Sequence, residues 1–206
     1  NGSGSANTDG SISSTVSANT TAGFSIVKYT GNLTSGANIG HGLGVKPAMI
    51  IIKNLDAAES WLCYHTSLGA TKHIKLNATE AAGTATSRFN DTEPTTSLFT
   101  VGNDPQTNGN SNDMIAYCFA EKKGFSKFGS FVGNGSTDGV FCYTGFRPAW
   151  VMVKKSSASG DNWSILDNKR NTFNVMDKYL DPNSSNAEGT ADIWDFTSNG
   201  FKMRNT

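Results

Sequence analysis

A sequence that repeats itself after about 100 residues is confined to folds that can be built twice. Gly23-Phe24-Ser25 returns as Gly124-Phe125-Ser126, and GLGVKPAMIIIK (42–53) returns as TGFRPAWVMVK (144–154). Gly44, Pro47, Ala48 and Lys53 align without gaps with Gly145, Pro148, Ala149 and Lys154, and Lys46 falls on Arg147. After a shift of one residue Gly31-Asn32 meets Gly133-Asn134 and Trp61 meets Trp163, and SLFTVGN (97–103) finally meets NGFKMRN (199–205). The period is too long for a solenoid unit and suits a duplicated domain or half-domain. The expected division is an extended segment or linker over 1–22, a first half over 23–123 and a second half over 124–206.

Each half reads as short strands between Gly, Asn and Ser turns. In the first, FSIVKYT (24–30), PAMIIIKN (47–54), WLCYH (61–65), HIKLN (73–77), LFTV (98–101) and MIAYCFAE (114–121) are predicted strands. In the second they are FSKFGSFV (125–132), VFCYTG (140–145), AWVMVKK (149–155), WSIL (163–166), IWDF (193–196) and GFKMR (200–204). No segment sustains a 3.6-residue apolar period, and only a helical turn over 78–83 is expected. The fold class that follows is all-β: a duplicated antiparallel β-sandwich, lectin- or jelly-roll-like, with two homologous halves. Residues 49–52 and 114–120 are apolar almost throughout, which suits central strands covered on both faces. Strict alternation puts Trp61, Cys63 and His65 on one face, and Trp163, Ile165 and Asp167 on the matching face.

The repeat also predicts an absence. The first half closes with the apolar strand DMIAYCFAE, and no counterpart follows in the second, which by register stops roughly 15 residues short. A sheet without that strand has an open edge. Three things can fill it: residues beyond the last one, the N-terminal segment 11–18, or a strand from a neighbouring chain. With no initiator Met, the chain is read as a fragment or a processed product.

Composition narrows the function. Lys+Arg and Asp+Glu both number 17, which leaves no electrostatic footprint for nucleic acid or an anionic membrane. Charged residues make up 17%, against about 25% in ordinary soluble domains, so polarity comes from Ser, Thr, Asn and Gly. No apolar stretch is long enough for a membrane-spanning helix. Cys63, Cys118 and Cys142 are an odd set among apolar neighbours, expected as buried thiols rather than as disulfides or zinc ligands.

No catalytic signature emerges. His41, His65 and His73 have no metal-ligand spacing, and there is no nucleophile elbow or P-loop. Paired carboxylates among Asp91, Glu93, Asp161, Asp167, Asp192 and Asp195 would be needed for a glycan-degrading hydrolase, the weakest alternative. The loop GNDPQTNGNSND (102–113) is rich in oxygen donors and is the one place where calcium is conceivable; no other cofactor is expected. Sugar binding needs an aromatic face beside Asn, Asp or Gln groups, so Trp61, Tyr64, His65, Trp163 and Asp167 are the candidate ligand-binding residues, with Trp150 and Trp194 as alternatives. Against this stands the ordinary fate of tryptophan in a β-sandwich, which is the core.

GFSIVKYTGN, IGHGLGVKPAMIIIKN, WLCYHTSLGATK, MIAYCFAEKKGFSKFGSFVGNGS and TGFRPAWVMVKK together resemble a repeat domain of marine bacteriophage (cyanophage-like) tail-fibre and virion-appendage proteins, over residues 7–206. The resemblance implies a non-enzymatic, β-rich appendage module at the virion surface or outside the cell. It would serve structure and host-surface attachment, through a bacterial surface glycan, as a homo-oligomer, either trimer or filament. A filament or decoration subunit assembled by β-strand exchange is the alternative. The resemblance carries over no functional residue.

Overall fold

The computed structural model describes residues 2–204. Strands account for 39% of residues and helices for 4%, so the protein is all-β. The first half holds β1 (Ser5–Asn7), β2 (Ser14–Asn19), β3 (Phe24–Thr30), β4 (Ala37–Gly40), β5 (Met49–Asn54), β6 (Leu62–His65), β7 (Lys72–Lys75) and β8 (Gly83–Thr84). Two single-turn helices, α1 (Thr86–Phe89) and α2 (Pro105–Asn108), flank β9 (Leu98–Val101), and β10 (Asp113–Phe119) follows. The second half holds β11 (Phe141–Tyr143), β12 (Trp150–Val153), β13 (Ser164–Asp167), β14 (Met176–Tyr179), β15 (Gly189–Thr197) and β16 (Gly200–Met203).

Eight strands form one sheet in the order β1-β2-β3-β10-β5-β6-β7-β8. The two apolar segments, β5 and β10, lie side by side at its centre, as their composition demands. β10 alternates: Met114, Ala116 and Cys118 are buried, while Ile115, Tyr117 and Phe119 are half-buried on the opposite face. The inner face packs under the β4–β9 ribbon, with Ile39, Phe99 and Val101 against Val27, Ile50, Ile52 and Tyr64. This is the expected sandwich.

The second half has its own core of Leu166, Met176, Trp194, Phe196 and Phe201, between the β12–β13 hairpin and the four-stranded sheet β11-β16-β15-β14. Its hairpin also turns outward. Trp163 and Met152 pack on the outer face of the large sheet against Met49, Cys63 and Ile74, and Trp163 Nε1 donates to the Lys75 carbonyl at 2.8 Å.

Several pairings occur twice. Met49↔His65, Ile50↔Tyr64, Ile51↔Cys63 and Ile52↔Leu62 join β5 to β6; Trp150↔Asp167, Val151↔Leu166, Met152↔Ile165 and Val153↔Ser164 join β12 to β13. Lys72↔Thr84 and His73↔Gly83 have counterparts in Lys178↔Thr190 and Tyr179↔Gly189. In both places the glycine lies against a ring: a Cβ on Gly83 would come within 2.8 Å of His73, and one on Gly189 within 2.3 Å of Tyr179. Ile39↔Phe99 in the β4–β9 ribbon is matched by Cys142↔Phe201 in β11–β16. Gly44 and Gly145, before the aligned prolines, both take positive φ (72° and 84°), which explains why glycine stands at each.

Four expectations are corrected or narrowed. FSKFGSFV forms no strand; apart from a bridge between Lys122 and Ser126, residues 125–132 are irregular. The segment carries Lys127 and Gly129, and no neighbouring strand supplies it with a ladder. The helical turn falls at 86–89 rather than 78–83. Of the two alternatives for residues 1–22, the described part is extended segment and not linker, because β2 pairs with β3 and β1 with β2. Segment 11–18 therefore extends the first half's sheet and fills no place in the second.

Candidate functional site

The expected site residues do not converge. Tyr64 is wholly buried, with its hydroxyl donating to Glu93 Oε2 at 2.6 Å. Trp163 is 5% exposed and serves the core between the halves. Neither offers a face to a ligand, because alternation placed them correctly along the strand but said nothing about which layer would cover them. Asp167 is turned onto its own loop, accepting from the backbone N–H groups of Lys169 and Arg170 and pairing with the Arg170 guanidinium at 2.9 Å. Burial opposes its charge, yet these bonds hold its carboxyl below the ordinary aspartate range. His65 is half-buried beside Phe128, and its Nδ1 accepts from the Ser67 N–H at 3.1 Å. The alternatives divide as well: Trp194 is buried against Phe201, and Trp150 is exposed.

Trp61 remains, and it has company that the sequence did not reveal. Its ring lies 6.4 Å from Tyr117 at an interplanar angle of 16°, and Tyr117 lies 6.5 Å from Phe24 at 5°. All three are half-buried. The register explains the row. Tyr117 pairs with Ile26 on β3 and Ile51 on β5, and Phe119 pairs with Phe24. Directly paired residues share a sheet face, so Phe24, Ile26, Ile51, Ile115 and Tyr117 form one continuous surface. The end of that surface at Met49 and Cys63 is covered by Trp163, with Ile51 and Phe119 packed beside them. The three rings come from residues 24, 61 and 117, separated too widely for any local motif to join them.

Polar groups border the row. Lys28 Nζ pairs with Asp113 at 2.8 Å. Lys53 Nζ donates to the carbonyls of Asn54 and Ala57, at 2.6 and 2.9 Å. The Asn77 side-chain oxygen accepts from the Trp61 N–H at 3.0 Å and fixes the backbone beneath the ring. A half-open apolar platform with a few charged groups at its rim suits a ligand that is flat on one side and hydroxylated at its edge.

Among the described residues no group of three or more His, Cys, Asp or Glu side chains is placed to hold a metal ion. In the 102–113 loop, Asp104 caps α2 through the Gln106 N–H and pairs with Arg88, while Asn108 is buried and bonded to Asn32, Thr34 and Gly102. Those oxygens and amides are taken up by bonds within the loop and to Asn32, Thr34 and Arg88. The acidic residues are dispersed: Glu93 bonds Tyr64, Ala70 and Lys46; Asp195 bonds Arg204; Asp161 bonds Lys155.

Residues 1–206 match the model of a family described as a domain of unknown function, DUF7483. No curated protein matches the chain, and no solved structure does.

Proposed function

The chain belongs to the DUF7483 family, and on that premise we propose that it is a non-enzymatic, extracellular appendage module that holds a surface glycan on the Phe24–Tyr117–Trp61 row. The observation that carries the reading is the row itself: near-parallel rings from β3, β10 and the residue before β6, half-open on the sheet. Sugar rings present C–H faces that rest on aromatic planes, and their edge hydroxyls bond the polar groups at the rim. Equal numbers of acidic and basic residues suit a neutral polysaccharide better than a polyanion. The setting, a virion appendage in contact with a bacterial surface, is supported by the motif resemblance of GHGLG and YCFAE to tail-fibre repeat domains. Repetition of such modules in a homo-oligomer would multiply weak single-site binding.

A glycan array probed with the whole chain tests the reading. Hits on neutral glycans are expected, and Trp61→Ala should weaken them about tenfold, the equivalent of one aromatic stacking contact. Tyr117→Leu, which keeps the apolar volume under the sheet, should do the same without unfolding the protein. An array without hits refutes the proposal. So does binding that ignores both substitutions.

A further inference from the structure

The two hairpins with matching register differ in one respect. β5 has ladders on both sides, to β6 and to β10. β12 has a ladder to β13 alone among the described residues. The likeness around them is close. The Thr66 N–H bonds the Ala48 carbonyl as the Asn168 N–H bonds that of Ala149. The Trp61 N–H is held by Asn77 Oδ1 at 3.0 Å, as the Trp163 N–H is by Asn183 Oδ1 at 2.9 Å. Lys53 and Lys154 each donate to the carbonyl of the next residue. On one side of β12, then, everything found around β5 is present; on the other, the counterpart of β10 is not.

The inward side chains register the difference, whereas Met49 (6% exposed) and Trp150 (54%) also differ because the second half packs on Met49. Ile50 and Ile52 are fully buried, whereas Val151 and Val153 are half-buried. A row of unpaired N–H and C=O groups beside apolar side chains is a template for strand addition.

We infer that the outer edge of β12 is an acceptor for one extended peptide strand with the chemistry of β10, running antiparallel to β12. The first half supplies the register. Phe119 pairs with Met49, Cys118 with Ile50, Tyr117 with Ile51 and Ala116 with Ile52. Transposed, the strand sets its Phe opposite Trp150, its Cys opposite Val151, its Tyr opposite Met152 and its Ala opposite Val153. It also supplies the selectivity. Ala116 and Cys118, the small residues, point into the core, while Tyr117 and Phe119 point to the outer face. The incoming strand must therefore be small at its two inward positions, where it meets the core of Leu166, Trp194 and Phe201, and can be bulky outward. This site is an edge of β12 in the second half, whereas the aromatic row is built from Phe24, Trp61 and Tyr117 of the first.

The probe is a fluorescein-labelled peptide with the sequence of residues 112–121, NDMIAYCFAE, titrated into the whole chain and followed by anisotropy. Saturable binding is expected. It should weaken about tenfold or more when the peptide's central Tyr is proline, which removes a ladder donor, or when its inward Ala is Phe. Register is read by cross-linking. In a glutathione redox buffer the peptide thiol and the thiol of a Val151→Cys variant each lose a proton, and the pair passes two electrons to oxidised glutathione. The resulting disulfide should form well above the wild-type background. Met152→Cys, one residue out of register, should not exceed that background. Equal cross-linking at 151 and 152, or binding indifferent to proline, overturns the inference. So does chain self-association in sedimentation that the peptide fails to disperse, because a second copy would then occupy the edge. Binding at the edge with no glycan hits leaves the acceptor standing and removes only the glycan reading; the converse result does the opposite.

Discussion

Trp163→Ala should be among the most damaging single substitutions in the second half, although the aligned Trp61→Ala should be mild. Trp163 is 5% exposed, packs on Met49, Cys63 and Ile74, and bonds the Lys75 carbonyl through Nε1. A tryptophan buries ~150–250 Å², which at ~25 cal/mol per Å² is ~4–6 kcal/mol of transfer free energy. Measured truncations of this kind cost about 3–5 kcal/mol. Losing the bond to the Lys75 carbonyl adds about 1 kcal/mol. The expected loss is therefore about 4–6 kcal/mol, or roughly 8–24 °C in Tm for a chain of this size. Trp163→Phe keeps most of the apolar body and should cost only about 1–2 kcal/mol. Trp61, half-buried with one ring beside it, should cost about 1 kcal/mol on truncation. Urea unfolding followed by far-ultraviolet circular dichroism measures all three variants. In Trp163→Ala a second-half transition should separate from the main one, since the contact between the halves is what couples them. If Trp163→Ala costs no more than Trp61→Ala, the packing argument is wrong.

Asn108 is buried and its amide serves the Gly102 carbonyl at 2.8 Å, the Thr34 carbonyl at 3.1 Å and the Asn32 side chain, while its Oδ1 accepts from the Asn32 N–H at 2.8 Å. Asn108→Ala leaves several buried partners unsatisfied and should cost about 3 kcal/mol or more, read as a lower urea midpoint. Acid should weaken the fold in two stages. Burial lowers the pKa of His41, His65 and His73, so the unfolded chain takes up protons first, and stability falls as pH drops below about 6.5, by at most about 1.4 kcal/mol per pH unit for each histidine. For Glu93 burial works against the charge, but bonds from Lys46, Tyr64 and Ala70 outweigh it and lower the pKa. Its contribution is complete above about 4.3 and disappears as pH falls through the lower folded value. Glu93→Gln should flatten the second stage only, and unchanged curves would refute the assignment. Burial pushes the Cys63 and Cys118 thiols up to about 12 and Cys142 to about 11. Native protein should therefore react with a thiol reagent at pH 8 far more slowly than protein in urea.

Much of the fold was legible in particular residues. β9 lies where LFTV was read, and the apolar segments at 49–52 and 114–120 are the neighbouring central strands. The pattern succeeded there because both strands lie at the centre of the sheet, with one face buried under the β4–β9 ribbon and the other half-buried, so apolar residues suit every position. It failed at 125–132, where alternating Phe and small residues imitate a strand but no neighbour completes the ladder. It missed β1, β2, β4, β8 and β14, whose sequences SAN, STVSAN, ANIG, GT and MDKY carry little apolar signal and owe their conformation to tertiary pairing. Of the candidate site, only Trp61 was legible. Phe24 and Tyr117 join it through register between distant strands, a property of the sheet and not of any local stretch.

Trp61 and Trp163 show why a repeat in sequence need not be a repeat in function. Both stand just before the second strand of a hairpin with the same pairing, and both have their backbone N–H held by an Asn two or more strands' length downstream. Each ring belongs to the face of its hairpin that points away from its own sandwich core. When the second half packs on the outer face of the large sheet, it spends its own outer face in doing so, and Trp163 is consumed by that contact. The large sheet is wider, with eight strands, and the hairpin covers the end near Met49, Cys63 and Ile74. The remainder, with Trp61, Tyr117 and Phe24, stays half-open. The asymmetry thus follows from the unequal widths of two sheets in contact, and it makes the first half the one able to offer a platform while the second offers an edge.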